Sequence, residues 1–337
     1  MKVCLPPKYK FRKGEKYFMV NSVVIGTGSY LPEKILTNDD LAKIVDTNDE
    51  WISSRTGIKQ RHIAADNETT SDMAILAAKQ AMDKAAVAPD NIDLIIVATT
   101  TPDSTFPSTA VRVQAGLGIK GGAAFDIQAV CTGFVYAMTI ADSFIKTGQA
   151  KNVLVIGADK MSCILDWEDR STCILFGDGA GAVVLTASEQ EGRGIIYSKL
   201  YSDGDYADIL NTTGGVSSTG TVGKVHMLGQ EVFKHAVAKM TSSVKEGLKS
   251  CGKNVGDINA FIPHQANARI LDMVSKKLRI SDDKVISTVA KHANTSAASI
   301  PLAIAEADRR GCFTMGDLVV LTAIGGGLTW GTCFLKW

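Results

Sequence analysis

The chain has 337 residues, 45% of them hydrophobic, and its 36 lysines and arginines are balanced by 35 aspartates and glutamates. That length buries a sizeable core without disulfide staples, and the near-neutral balance excludes bulk nucleic-acid binding while leaving room for a local basic patch. Gly, Thr or a charge interrupts every apolar run well short of the ~20 residues of a membrane span, and the seven cysteines form no C-x-x-C pair and no metal-ligand spacing, so a reduced, cytoplasmic protein is expected.

Residues 1–21 stand apart. The first nineteen carry six Lys/Arg and one Glu and lack the apolar stretch of a signal peptide. They read equally as a poorly ordered basic tail or as an extension from an upstream start, with Met19 near the beginning of the domain. Beyond them, apolar runs bounded by turn residues predict strands at 22–25, 94–98, 123–127, 153–156, 182–185, 261–262, 318–322 and 332–335. Helical patterns between the runs place helices on both faces of the strands. Gly26-Thr-Gly28 lacks the third glycine of a dinucleotide fingerprint, and Gly177-Asp-Gly179-Ala-Gly181 precedes a strand instead of following one, so neither reads as a nucleotide site.

Cys131 follows the strand AAFDIQAV and precedes a helix, Thr132 to Lys146, that is apolar almost all round. A thiol at a helix start feels the positive end of the macrodipole, which favours thiolate. Taken alone, it reads equally as a small buried hydrophobe. From 230 to 250 an amphipathic stripe of Val232, Phe233, Ala236, Met240, Val244 and Leu248 predicts a helix that stops at Gly252. His264 ends a short strand at Pro263 and precedes a helix beginning near Asn267. On that helix Arg269, Lys276 and Lys277 lie opposite an apolar face of Ile270, Leu271, Val274 and Leu278. Asn294 reads on its own as a turn residue or helix cap, and Pro301 either kinks the next helix or begins it. Gly325-Gly326-Gly327 ends an apolar strand; such a run lets backbone N–H groups approach a ligand, as an oxyanion hole requires, or makes a plain turn.

The order of elements repeats. NIDLIIVATTTPD, AAFDIQAVCTGFVYAMTIADSFI and NVLVIGADK in the first half correspond to DINAFIPHQAN, VISTVAKHANTSAASIPLAIAEA and DLVVLTAIGGGLTWG in the second. The expected halves are 22–190 and 191–337. In this alignment Cys131 and Asn294 fall at equivalent places and His264 ends the second half's first strand. Open α/β sheets carry their chemistry at the carboxyl ends of strands, so the three residues could share one crevice.

Together, DIQAVCTGF, IPHQAN, HANTSAASIP and GGGLTWG resemble the motifs of β-ketoacyl-acyl carrier protein synthase III, the initiating condensing enzyme of dissociated fatty-acid synthesis. The resemblance runs from about Val23 to Trp337 and takes in TGSYLPE, TNDEWISSRTGIKQRHIA, TTPDSTFPS and LFGDGAGAVVL. It implies an α/β fold of the duplicated thiolase-like kind, five-layered α/β/α/β/α, a homodimer, and a Cys-His-Asn site at Cys131, His264 and Asn294. Elongating ketosynthases resemble this pattern with Cys-His-His and thiolases with Cys-His-Cys, which makes Asn294 the discriminating residue.

By the same resemblance Trp51 and Arg170 flank the adenine of coenzyme A, with Arg55 at the same mouth. Phe106 lines the acyl pocket across the dimer interface, and Asn267 lies along the pantetheine tunnel. Lys234, Arg269, Lys276 and Lys277 meet the acidic carrier protein, and the N–H groups of Cys131 and Gly326 hold the oxyanion. Ser171 departs from the Gly that many members carry. The implied reaction is a decarboxylating condensation of an acyl-CoA primer, with acetyl-CoA the first expectation, and malonyl-acyl carrier protein; coenzyme A enters as substrate, with no metal or redox cofactor. The closest alternative is a related acyltransferase or condensing enzyme of secondary metabolism. A papain-like hydrolase also runs Cys, His, Asn in chain order, but its C-G-[SA]-C-[WY] context does not match AVCTGF. A binding module would leave Cys131 and the glycine run without purpose.

Overall fold

A computed structural model describes residues 20–337. The expected extension therefore lies outside the described residues except for Val20 and Asn21, and Asn21 already opens the first strand. The strands are β1 (Asn21–Tyr30), β2 (Lys34–Thr37), β3 (Gln60–Ile63), β4 (Leu94–Ala98), β5 (Ala123–Ile127), β6 (Asn152–Asp159), β7 (Gly179–Ser188), β8 (Gly194–Ser202), β9 (Leu210–Thr212), β10 (Val225–Met227), β11 (Ala260–Pro263), β12 (Leu318–Gly325) and β13 (Thr329–Lys336). The helices are α1 (Asn38–Leu41), α2 (Asp49–Thr56), α3 (Thr70–Ala85), α4 (Thr109–Gly116), α5 (Gly133–Lys146), α6 (Gly229–Ser250), α7 (Ala268–Leu278), α8 (Val289–His292) and α9 (Ser299–Arg309).

Two sheets organise them. The first runs β1-β7-β6-β4-β5, with β7 alone running against the other four strands. The second runs β11-β12-β13-β8, with β11 parallel to β12 and the rest antiparallel. Where a fifth strand would continue beyond β11, a single bridge joins Phe261 and Val285. All five residues of β4 are buried, as a parallel strand covered on both faces demands. Three buried clusters define the layers. One packs α3 and α4 on the outer face of the first sheet. A second lies between the sheets and is built from α5, α9 and strands of both. The third packs α6 and α7 on the outer face of the second sheet. The result is the five-layered α/β/α/β/α arrangement, and α5 is apolar almost all round because it occupies the middle layer.

The glycine pairs that failed as nucleotide motifs prove to be contact points between layers. A Cβ on Gly28 would stand 2.6 Å from the Ala81 nitrogen of α3, and one on Gly181 would stand 2.6 Å from the Leu302 nitrogen of α9. The backbones of strand and helix touch there, with no room for a side chain. Pro301 takes neither expected role: it is the third residue of α9, within the first turn, where a missing N–H breaks no intrahelical bond.

Candidate active site

Cys131, His264 and Asn294 line one cavity of about 510 Å³. Each is almost fully buried; Cys131 and His264 sit just past the carboxyl ends of β5 and β11, and Asn294 lies two residues past the short helix α8. Cys131 occupies a short 3-10 turn, Val130–Thr132, that feeds directly into α5. Val130 is held at φ +49°, a conformation costly for a β-branched residue and one that turns the chain sharply to present the thiol. The turn is bolted to β13: Thr132 Oγ1 donates to the Thr329 carbonyl at 3.0 Å, and Thr329 Oγ1 donates to the Ala129 carbonyl at 3.0 Å. The end of β12 runs alongside, so close that a Cβ on Gly325 would lie 2.8 Å from the Cys131 nitrogen. The glycine run thus brings two stretches of backbone, one holding Cys131 and one holding Gly326, to the same place.

Helix-start placement suggested a lowered thiol pKa. The structure reverses this: burial pushes Cys131 up to about 12, Ser296 beside it acts in the opposite sense, and the buried Asp159 carboxylate adds to the rise. Loss of hydration is the largest cause of the rise. The same cause acts with opposite sign on His264, which burial lowers to about 3. The resting pair is therefore a neutral thiol and a neutral imidazole.

The hydrogen bonds around His264 fix the orientation of its ring. Its Nδ1 lies 2.6 Å from Ser299 Oγ, and that oxygen accepts from the Gln265 N–H at 3.4 Å. Ser299 thus holds the ring by Nδ1 and leaves Nε2 as the ring nitrogen with no protein partner among the described residues. Asn294 is fixed similarly. Its Oδ1 accepts from the Ser296 N–H at 2.9 Å, which leaves the amide NH₂ as the free end. Its backbone is clamped by bonds to Leu175 and Gly177 at 2.9 and 3.0 Å, and Ala293 before it adopts φ +58°, ψ −156°, a region that glycine alone visits freely.

At the mouth, Trp51 and Arg55 on α2 line the cavity, together with Ser171, Asn267 and Arg269. The guanidinium groups of Arg55 and Arg170 lie 4.8 and 5.1 Å from the Trp51 ring centre. Arg170 itself stands just outside the cavity and donates to the Asp46 carbonyl at 2.9 Å. Asn267 caps α7 by accepting from the Ile270 N–H at 3.0 Å, and Arg269 lies 5.6 Å over Phe233. Lys234, Lys276 and Lys277 are exposed, the first two paired along their own helices with Glu231 and Asp272 at 3.9 and 2.9 Å. Phe106 does not line this chain's cavity: it is 83% exposed on the connection before α4.

The sequence reading missed Ser299, Ser296 and Asp159. Asp159, fully buried at the end of β6, accepts from Thr100 and Ala297 N–H groups at 2.7 and 3.0 Å and so ties the loop after β4 to the loop carrying Asn294. The cited partners of Ser299 and Asp159 lie 35 and 138 residues away in sequence, a separation at which no local pattern signals them. Among the described residues, no group of three His, Cys, Asp or Glu could hold a metal, and no helix is long and apolar enough to cross a membrane.

Comparison with known proteins places this geometry. The family model described as 3-Oxoacyl-[acyl-carrier-protein (ACP)] synthase III matches residues 125–204, and the model of that family's C-terminal part matches 248–337. The β-ketoacyl-acyl carrier protein synthase III of Rhodospirillum centenum is 57% identical over 321 residues, covering 94% of this chain and 99% of that protein. Its counterpart in Ehrlichia canis is 56% identical over 318 residues, covering 94% and 100%. The crystal structure of the synthase III from Aquifex aeolicus, 52% identical, superimposes with a TM-score of 0.90 over 94% of this chain and 100% of that one.

Proposed function

The chain belongs to the 3-oxoacyl-acyl carrier protein synthase III family, and from that premise we propose how its residues divide the initiating, decarboxylating condensation of fatty-acid synthesis. The observation that carries the proposal is the convergence of Cys131, His264 and Asn294 on one cavity that opens past Trp51 and Arg55.

Sulfur of Cys131 attacks the carbonyl carbon of acetyl-CoA, the primer we favour. The thiol proton leaves as the C–S bond to coenzyme A breaks, and it ends on the departing thiol. The oxyanion formed on the way is held by the N–H groups of Cys131 and Gly326, a role supported by the backbone contact at Gly325. Malonyl-acyl carrier protein then enters the emptied tunnel. Its carbon–carboxylate bond breaks, the electron pair moves into the thioester as an enolate, and carbon dioxide departs. Nε2–H of His264 and the amide NH₂ of Asn294 donate to the enolate oxygen. Both act as donors on this reading, supported by the bonds that Ser299 makes to Nδ1 and Ser296 to Oδ1. The carbanion attacks the acetyl carbonyl, Cys131 leaves as thiolate and takes a proton from water to restore the resting thiol, and 3-oxobutyryl-acyl carrier protein is released.

On this reading coenzyme A needs no resident cofactor beside it. Trp51, Arg55 and Arg170 receive its nucleotide, Asn267 lies along the pantetheine arm, and Lys234, Arg269, Lys276 and Lys277 meet the carrier protein. A homodimer is part of the proposal, supported by the free edge of β5 and the exposed ring of Phe106, which would enter the partner's acyl pocket. A cytoplasmic location accords with the free thiols of the described cysteines. Mass spectrometry after incubation with acyl-CoAs of two to eight carbons tests nucleophile and primer together. An acetyl adduct on the Cys131 peptide that weakens with chain length is expected, and an adduct elsewhere would sink the assignment.

A further inference from the structure

Arg61, in β3, is a guanidinium with no exposed surface. Among the described residues no carboxylate stands within ion-pairing distance of it, and burial pulls its pKa down to about 10. An unpaired interior cation is costly, and a methionine would fill the same space without that cost. What the guanidinium supplies is a set of directed donors.

Those donors reach two walls of the pocket mouth. Nη2 donates to the Ile174 carbonyl at 2.8 Å, while Nη1 donates to Asn38 Oδ1 at 2.9 Å and to the Leu36 carbonyl at 3.2 Å. The Asn38 amide nitrogen passes the connection on, donating to Asp49 Oδ1 and to the Ile58 carbonyl, each at 2.8 Å. Asp49 is the first residue of α2, the helix of Trp51 and Arg55. Ile174 belongs to the opposite wall, three residues after Ser171, and its neighbour Leu175 accepts the Asn294 N–H at 2.9 Å. One buried side chain therefore spans the gap between the two surfaces that flank the mouth. Its charge, in a medium of low polarity, also adds to the positive field of Arg55 and Arg170.

We propose that Arg61 is a positioning residue for the nucleotide end of the coenzyme A thioester, setting the separation of the Trp51 wall from the Arg170 wall through Asn38 and Ile174. The proposal rests on the reading of Trp51, Arg55 and Arg170 as the coenzyme A mouth. It is tested by measuring acylation of Arg61→Met, Arg61→Lys, Asp49→Asn and Trp51→Ala with two primers: acetyl-CoA, and S-acetyl-N-acetylcysteamine, which lacks the nucleotide. Arg61→Met should raise KM for acetyl-CoA roughly tenfold and leave KM for the short thioester and both kcat values within about twofold, with Arg61→Lys intermediate and Asp49→Asn near threefold. Equal losses with both primers, or no loss, would mean that Arg61 serves the fold alone. If Arg61→Met does not fold, Asp49→Asn decides, since its carboxylate is exposed; an unchanged ratio of the two KM values overturns the proposal. Trp51→Ala separates the layers of inference. A shift there without one in the Arg61 and Asp49 variants defeats the positioning role and leaves the mouth standing, whereas no shift with Trp51→Ala defeats both.

Discussion

The two halves bring the same parts to the pocket and use them differently. In the first, β4, α4, β5, the Cys131 turn, α5 and β6 follow in order; in the second, β11, α7, the Val285 bridge, the Asn294 loop, α9 and β12 do. Val130 before Cys131 and Ala293 before Asn294 both have positive φ, and the threonines that follow, Thr132 and Thr295, are both fully buried. The difference lies in where each residue sits. Both helices are entered through a three-residue 3-10 turn, but Cys131 lies inside its turn, Val130–Thr132, whereas Asn294 lies two residues before its turn, Ser296–Ala298. The second turn supplies the Ser296 N–H that orients the Asn294 amide, and the start of α9 supplies the Ser299 hydroxyl that holds His264. On the mechanism proposed above, one half presents the nucleophile and the other the aimed donors.

The largest expected effects test that division. Cys131→Ala should abolish the acetyl adduct and keep malonyl decarboxylation, because only sulfur can accept the acyl group. His264→Ala and Asn294→Ala should do the reverse, each losing carbon dioxide release by ~10²–10³-fold, the usual cost of one oxyanion donor, while still accepting acetyl. Following adduct formation and carbon dioxide release separately decides it; a Cys131→Ala protein that still acylates would end the comparison. Gly325→Ala comes next, since its methyl would press on the Cys131 nitrogen. Acylation should fall by about tenfold or more, with decarboxylation less affected.

Smaller effects should appear in stability. Ala293→Gly and Val130→Gly relieve a positive φ worth of order 1–3 kcal/mol, against ~1 kcal/mol of added chain entropy. Thermal melting should rise or hold, while Ala293→Gly costs decarboxylation and Val130→Gly costs acylation. Loss of the same half-reaction by both would break the symmetry argument. For pH, the folded pKa of His264 is depressed from 6.5 to about 3 and that of His292 to about 4. The unfolded chain then binds more protons below pH 6.5, so stability is full above that pH and is lost as pH falls toward 3. His264→Gln should flatten this decline in a melting series. The smallest expected change is in Lys276→Glu with Lys277→Glu: a rise in KM for malonyl-acyl carrier protein of a few fold that fades with salt, acetylation being unchanged.

Much of this was legible in the chain. The runs at 94–98 and 123–127 mark β4 and β5 to the residue, the first wholly apolar and the second broken only by Asp126, because such segments bounded by polar turns leave little choice. The order of elements in the two halves, read from those runs, already paired Cys131 with Asn294. The short polar strands β2, β3, β9 and β10 carry no such signal, and β8, with its mixed burial, was also overlooked. The thiol pKa was misjudged for a physical reason: a helix dipole can be inferred from a local pattern, whereas desolvation depends on which distant residues close over the site. Arg61 escaped notice because an Arg in a polar stretch reads as surface until its surroundings are known.

The middle layer has one more consequence. Its helices are at once the deepest part of the core and the mounts on which the thiol and the histidine's hydroxyl partner are fixed. Damage to α3 and α4, which contribute nothing to the cavity lining, can be absorbed as a drop in the amount of folded protein, with each surviving molecule working normally. Damage to α5 or α9 cannot be absorbed in that way, for loosened packing there also moves reacting atoms. Efforts to make this enzyme sturdier should therefore begin at α3 and α4, where robustness and turnover can be tuned independently.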